Sequence, residues 1–462
     1  MSPSQVYDSV PHLEVPARVG IIGVGYVGES LLSEFCRKYD CVGFDISADR
    51  IEQLKPSFKS YPNVVLTNDT AILRQITHYL ISVPTLLQKD RSINLNHLSK
   101  ALEMVLTHAR PGCTVVIESS VSVGTTRALL EPFQDIMHCG MSPERVDPGR
   151  ISPSAHEIPK IVAGLTPAAS HEIQKLYSAV FDRVVPVSKP EVAEMTKLFE
   201  NCYRMVNIAY VNEMSDACIS HGIDPHEMIS AAATKPFGYQ EFRPGLGVGG
   251  HCIPINPFYL FANNDDLPVL KQSTDLMWAR PAKLAKKFYD TLTSRYNLRF
   301  GKPKVLVVGV GFKPGESVLS NSPGLDFAEA LQDLTGDRIA FYDPLVSQEA
   351  VPWMNKMADE QWTSAYINDH FDAVTVCVKQ HGVDFDVLHD LADTTVYTYG
   401  KVETAVTRKL STTARRDSVQ PLLDIISTTT PAYISTITET PMDTKLGAHQ
   451  AVPFLEVAWG KA

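Results

Sequence analysis

The densest run of chemically unusual residues lies between Lys235 and Leu260, where Gly245, Gly247, Gly249 and Gly250 lead into His251 and Cys252. So many glycines disfavour a regular element and carry an entropic cost, which points to a loop that wraps closely around a ligand. Cys252 stands between that loop and a turn bracketed by Pro254 and Pro257. A cysteine taken at random is most often a small buried hydrophobe. One placed directly after such a loop is a candidate nucleophile, provided that its thiolate is stabilised.

A second set of glycines has a different spacing. Gly23-Val24-Gly25-Tyr26-Val27-Gly28 follows a short apolar run and opens a helical pattern. In a strand–turn–helix unit the first glycine allows the tight turn, the second lets a pyrophosphate approach the backbone, and the third lets helix and strand pack closely. The diphosphate then rests on the helix N-terminus. The next strand ends at Asp45, near the distance expected for a carboxylate that holds a ribose hydroxyl. An acid there repels a 2′-phosphate, so NAD is favoured over NADP. Two further candidates are Lys197 and Asn201, four residues apart and therefore on one face of a helix. Ser142-Pro143-Glu144-Arg145 reads, on sequence alone, equally as a capped turn.

The elements that must hold these residues follow from periodicity. Arg18–Ile22, Cys41–Phe44, His78–Val83 and Thr114–Glu118 are apolar or β-branched runs separated by amphipathic stretches such as Tyr26–Lys38. Strands alternating with helices predict a parallel sheet. From about Pro190 to Asn297 the alternation stops, and Val192–Cys218 has helical spacing without glycine or proline. It resumes at Val305–Val308, Ile339–Tyr342, Ala373–Cys377 and Thr395–Tyr397. The expected fold is α/β, with two Rossmann-like parallel-sheet domains joined by a helical region with a long spine helix. The expected bounds are an arm over 1–17, a dinucleotide domain over 18–189, a central helical domain over 190–297, a second α/β domain over 298–400 and a Ser/Thr-rich tail over 401–462.

The bulk composition narrows the partners. A net charge of −10 over 462 residues argues against a broad nucleic-acid surface. No apolar run approaches the roughly 20 residues needed to cross a bilayer, and the N-terminus lacks the apolar core of a signal peptide. Eight cysteines are scattered without a C-x-x-C pair, so neither a metal site nor a disulfide framework is indicated and a cytoplasmic setting is expected.

Taken together, these segments resemble the UDP-glucose/GDP-mannose dehydrogenase family, most closely its UDP-N-acetylhexosamine 6-dehydrogenase branch. Gly250-His251-Cys252-Ile253-Pro254 is the most specific part of the match. Val83-Pro84-Thr85, Ser142 to Arg145, Glu194 to Glu213, and Gly309-Val310-Gly311-Phe312-Lys313-Pro314 follow in the same order. The resemblance implies a nucleotide-sugar alcohol oxidised twice by NAD, through a thiohemiacetal and then a thioester on Cys252. Lys197 and Asn201 are expected to stabilise the oxygen that becomes negative, and Glu144 to assist hydrolysis, with Ser120 and Asn256 beside them. Gly23, Gly25, Tyr26, Val27, Gly28, Asp45, Arg50, Pro84, Thr85 and Ser120 are expected around the cofactor. Glu144, Arg145, Lys197, Asn201, Phe242, Arg243, Gly249, Phe312 and Lys313 are expected around the nucleotide sugar, the cations suiting its diphosphate. The resemblance implies as well a homodimer or larger homo-oligomer, with the 190–297 domain dimerising and catalytic and the 298–400 domain holding the nucleotide sugar.

The sequence departs from the family pattern at several points. Ser120 stands for threonine, Asn256 for an aspartate, Ser320 for an arginine near the substrate, and Tyr397-Thr398-Tyr399-Gly400 for an Asp-Thr-Arg ending of the last strand. Asparagine keeps the shape of aspartate but cannot accept a proton as a base. UDP-glucose or GDP-mannose as substrate, and a pseudoenzyme that binds without completing oxidation, therefore stand as alternatives. A β-hydroxyacid dehydrogenase would share the architecture but has no use for the cysteine motif.

Overall fold

The structure is a computed structural model describing residues 10–11, 15–88, 90–146, 152–295, 302–391, 394–398 and 401–403. In its first α/β region the strands are β1 (Arg18–Ile22), β2 (Asp40–Phe44), β3 (Val64–Thr67), β4 (His78–Ile81), β5 (Leu86–Leu87), β6 (Ile93–Asn94), β7 (Thr114–Ile117), β8 (His138–Met141), β9 (Lys160–Gly164) and β10 (Val184–Pro186). The helices are α1 (Tyr26–Phe35), α2 (Ala48–Phe58), α3 (Asn96–His108), α4 (Thr125–Leu130) and α5 (Pro167–Ser178). β5 and β6 pair as a separate hairpin; the others form one sheet in the order β10-β9-β8-β7-β4-β1-β2-β3. All neighbours are parallel except β8 and β9. Because β2 lies on one side of β1 and β4 on the other, the chain leaves a crevice at the carboxyl ends of β1 and β4.

Both faces of this sheet are covered, which is why its strands read as continuous apolar runs. Leu31, Phe35, Ile173 and Tyr177 pack on one face, and Leu98, Leu102, Val105 and Leu130 on the other.

The middle of the chain is helical: α6 (Pro190–Ser220), α7 (Pro225–Ala233), α8 (Asn256–Phe261) and α9 (Pro268–Arg295). Proline opens α6 at a position where its missing N–H is not needed. The helix extends two residues beyond the expected span at each end, whereas α1 stops three residues short. Leu198, Met205 and Ala209 of α6 pack against Tyr259, Leu260, Leu270 and Met277. The Arg280 guanidinium grips Asp216 at 2.7 and 3.0 Å, tying α9 to α6.

The second α/β region holds β11 (Val305–Val308), α10 (Pro323–Thr335), β12 (Ile339–Tyr342), β13 (Asn355–Lys356), α11 (Ser364–His370), β14 (Ala373–Val376), β15 (Thr395–Thr398) and β16 (Lys401–Glu403). Its sheet runs β13-β12-β11-β14-β15-β16, so a second crevice lies between β11 and β14. β16 adds to β15 in antiparallel register, and residues 404–462 of the expected tail lie outside the described residues. Residues 1–9 and 12–14 of the expected arm lie outside them too. Among the described residues no helix is long and apolar enough to cross a membrane.

Candidate active site

At the first crevice, α1 begins directly after Gly25, which offers no side-chain cap. A Cβ on Gly28 would sit 2.0 Å from the Gly23 carbonyl oxygen, so only glycine lets this helix pack so close to β1. A Cβ on Gly25 would meet nothing within 4 Å. Open space at an uncapped helix N-terminus is the shape that admits a diphosphate. Asp45 is half-buried at the end of β2, and its carboxylate accepts the N–H groups of Val24 (3.0 Å) and Ser47 (2.9 Å). Arg50 donates through Nε to the Val24 carbonyl (2.8 Å) and pairs with Glu29 at 2.6 Å. Tyr26 is exposed above the loop, and Val27 packs into the core beneath it. Across the crevice, Pro84 and Thr85 follow β4, and the Thr85 hydroxyl donates to the Ser120 carbonyl at 2.8 Å. The residues expected to hold the cofactor thus meet at one crevice, and its shape and donors fit NAD.

Cys252 is half-buried at the turn that starts α8. Its carbonyl accepts the N–H of Asn256 at 2.9 Å. Asn256 is buried and receives a hydrogen bond from the Asn201 amide at 2.5 Å. One turn earlier on the same face of α6, Lys197 is only 9% exposed. No carboxylate lies within ion-pair distance of it among the described residues. A desolvated ammonium without a counter-charge is unfavourable unless an anion or a developing negative charge approaches it. Hydrogen bonds thus join Cys252, Asn256 and Asn201, and the buried cation lies one turn before Asn201 on the same helix.

The glycine loop before Cys252 is docked on the second α/β region. The Gly250 N–H donates to the Ser320 carbonyl (3.2 Å), and the Asn321 amide donates to the Gly250 carbonyl at 2.9 Å. A Cβ on Gly249 would lie 2.9 Å from Cβ of Phe312 and 2.8 Å from Pro323. Lys313 carries its ammonium 5.3 Å from the Phe312 ring centre. Phe242 meets Tyr203 edge-on at 6.1 Å, while the exposed Arg243 pairs with Glu241 at 2.6 Å. Arg145 is held by Glu200 at 2.5 and 3.1 Å and by the Pro159 carbonyl at 2.7 Å, which fixes it against α6.

Glu144 is buried in a network that the sequence did not reveal. One carboxylate oxygen accepts the N–H groups of Arg145 (2.6 Å) and Val146 (2.8 Å), and the other accepts Nζ of Lys160 at 2.8 Å. The same ammonium donates to Glu118 at 2.7 Å, and the Tyr177 hydroxyl donates to the other oxygen of Glu118. Burial pushes the Glu118 pKa up to about 7 against the pull of Lys160, the nearby Glu144 charge adding to the rise. Burial also opposes ionisation of Glu144, but Lys160 and the two backbone N–H groups outweigh it and hold this carboxyl below its ordinary range. The opposite directions follow from donors: Glu144 accepts three hydrogen bonds and Glu118 two. The available signal was a lysine heading an otherwise apolar strand, Lys160–Gly164, and an acid ending another, Thr114 to Glu118.

Comparison with known proteins gives these elements a family. Residues 17–181 match the NAD binding domain of the UDP-glucose/GDP-mannose dehydrogenase family, and residues 191–276 match its central domain. The two matches cover more than half of the chain, which belongs to this family of NAD-dependent oxidoreductases acting on nucleotide sugars. The chain is 28% identical over 354 residues to the UDP-N-acetyl-D-mannosamine dehydrogenase of Pyrococcus horikoshii, covering 71% of this chain and 84% of that one. It is 29% identical over 357 residues to the UDP-N-acetyl-D-glucosamine 6-dehydrogenase of Pseudomonas aeruginosa, covering 72% and 84%. The solved structure of the Pyrococcus horikoshii enzyme superposes with a TM-score of 0.73 at 25% identity, over 82% of this chain and 93% of that one. A UDP-glucose dehydrogenase from Pyrobaculum islandicum shares the fold, with a TM-score of 0.72 at 20% identity over 86% and 97%.

Proposed function

We propose that the chain oxidises the C6 alcohol of a UDP-N-acetylhexosamine to the uronate, through a thiohemiacetal and a thioester on Cys252. The observation that carries this reading is the chain of hydrogen bonds from Cys252 through Asn256 to Asn201, with the buried Lys197 one turn earlier on the same face of α6 and without a carboxylate at ion-pair distance among the described residues. The crevice residues hold NAD, which when bound supplies the hydride acceptor for both oxidations. Lys197 and Asn201 stabilise the negative charge on the sugar oxygen as the alcohol and the hemiacetal lose their protons. The thiol of Cys252 adds to the aldehyde and keeps it from solvent until the thioester has formed. Water then attacks the thioester carbonyl: its oxygen forms the new C–O bond, the C–S bond breaks onto sulfur, and its proton passes to Glu144. Arg145, Phe242, Arg243, Gly249, Phe312 and Lys313 line the side from which the nucleotide sugar enters.

The two enzymes matched above by sequence are named for UDP-N-acetyl-D-mannosamine and UDP-N-acetyl-D-glucosamine, which supports that choice over UDP-glucose or GDP-mannose. The test follows NADH absorbance with purified protein, NAD and UDP-N-acetylglucosamine or UDP-N-acetylmannosamine. Two NADH per sugar are expected, with turnover abolished in Cys252→Ala. Faster turnover with UDP-glucose or GDP-mannose would move the substrate, and silence with all four would overturn the reading. Asn256 favours one alternative, a protein that binds both ligands but stalls. Here Asn256→Asp discriminates: a gain of about 10²-fold or more in acid formation would mean that the missing base limits the natural protein.

The exposed side of α6 supports a homodimer. Met195, Phe199, Tyr203 and Tyr210 stand in a stripe along it, Phe199 65% and Tyr210 62% exposed. An apolar stripe of this kind calls for a covering surface, and a second copy of α6 offers a matching one. Sedimentation should give twice the chain mass, and Phe199→Glu should lower it. Eight free thiols suit a reducing compartment such as the cytoplasm.

A further inference from the structure

We propose that Lys160 is a positioning residue for thioester hydrolysis: shared between Glu144 at 2.8 Å and Glu118 at 2.7 Å, it makes the three buried groups take up and release one proton as a unit. The proposal rests on the role given to Glu144 above. Its physical basis is charge. With both acids ionised, Glu118, Lys160 and Glu144 carry a net charge of −1 in a region where each is almost wholly removed from water. A carboxylate salt-bridged to lysine alone would be a poor base, because accepting a proton would leave a buried ammonium without a partner. Here Glu118 removes that penalty. When Glu144 takes the proton of the attacking water, Lys160 remains paired with Glu118 and the unit becomes neutral. When the departing Cys252 thiolate takes that proton, the unit returns to −1 and the thiol is restored.

The surrounding groups leave this unit isolated. Tyr177 of α5 donates to Glu118, and its ring and that of Phe181 lie 5.9 and 5.6 Å from the Lys160 ammonium. On α6, Glu194 is turned to the N–H groups of Gly124 and Thr126, and Glu200 to Arg145. Lys197, buried on the same helix, has no carboxylate within ion-pair distance among the described residues. Beyond the fixed N–H groups of Arg145 and Val146, the charged partners of Glu144 are thus Lys160 and, through that ammonium, Glu118. Such coupled groups titrate as a set.

Two substitutions should then act in opposite directions. In Glu118→Gln the lysine belongs to Glu144 alone, so the acid limb of the kcat profile should move to lower pH by about one unit and hydrolysis should slow about ten-fold or more. NADH should appear as a burst, with the sugar trapped on Cys252 and visible by mass spectrometry. In Lys160→Gln two carboxylates share one site, so the limb should move to higher pH; Lys160→Arg should restore it. An infrared titration of the protonated carboxyl band, with Glu144→Gln to assign it, reads the same midpoints without turnover. Midpoints displaced in opposite directions support the coupling. Unmoved midpoints, or a shift of the same sign in both variants, would overturn it, a purely structural role giving lower stability alone. Should Lys160→Gln fail to fold, Glu118→Gln carries the test. If the wild type forms no NADH while the midpoints still diverge, the coupling stands and the dehydrogenase reading fails.

Discussion

The two α/β regions build the same loop and use it differently. Gly23-Val24-Gly25 leaves β1 and meets Asp45 from the next strand; Gly309-Val310-Gly311 leaves β11 and meets Asp343. In the first, Asp45 is half-buried and accepts the N–H of Val24, and the space beyond Gly25 is open. In the second, Asp343 is fully buried and accepts the N–H groups of Val310 (3.0 Å), Gly311 (3.1 Å) and Leu345 (3.0 Å). The space beyond Gly311 is filled: a Cβ there would stand 2.5 Å from the Glu316 carbonyl oxygen. Gln380 locks that turn, donating to Glu316 at 3.1 Å and accepting the N–H of Gly315 at 2.5 Å. A dinucleotide loop therefore binds a diphosphate only while its donors and its space remain free. The second region has satisfied both internally at this turn, and Ser320 and Asn321 beyond it hold the glycine loop of Cys252.

Breaking this comparison at the glycines should give the largest effects, of different kinds. Gly25→Val puts its side chain into the open space at the α1 N-terminus, so NAD affinity should fall by more than about 100-fold while the melting temperature hardly moves. Gly311→Val forces the Glu316 turn aside, and overpacking of this sort costs about 1–3 kcal/mol. Its melting temperature should drop while NAD still binds. Titration calorimetry and a thermal melt on both variants suffice; equal loss of stability in the two would sink the distinction. The aspartates sharpen the point with smaller changes. Asp343→Asn leaves a buried N–H without its acceptor and should cost about 1–3 kcal/mol. In Asp45→Asn the loss should fall on NAD affinity, about ten-fold, with stability nearly unchanged.

Much of this was legible because it is local. The strand Val305–Val308 and the helix after Gly25 follow from patterns within ten residues, and the motif around Cys252 announces a loop by its glycines alone. Lys160 was not legible. Its partners Glu118 and Glu144 lie 42 and 16 residues away, and they meet only because β9 enters the sheet antiparallel to β8. A lysine beginning an apolar strand reads as a surface residue until its neighbours are known. The β5–β6 hairpin is similar. Arg91 at its tip lies 5.6 Å from the Phe258 ring and 5.0 Å from the Trp278 ring, linking parts of the chain that no local pattern joins. The helix α9 was obscured by Pro281 within it, since proline ordinarily ends a helix.

A second buried acid, Glu118, separates the regions by the pH dependence of stability. Asp343 is surrounded by fixed donors, whereas Glu118 shares its cation with a second carboxylate and has its pKa raised to about 7. A carboxyl whose folded pKa exceeds its unfolded value binds more protons in the native state between those two values. Its contribution to stability is therefore full below the ordinary value of 4.5 and is lost as the pH rises through about 7. Other groups act in the same range: His78, whose pKa burial lowers to about 4, contributes a slope of the opposite sign. The comparison must accordingly be wild type against Glu118→Gln, in which His78 is common to both. The difference in unfolding free energy should change with pH by at most about 1.4 kcal/mol per unit between roughly 4.5 and 7, always in the sense that raising the pH favours the variant. A flat difference for Glu118→Gln would mean that its carboxyl titrates alike in the folded and unfolded chains, and that sharing Lys160 with Glu144 does not raise it.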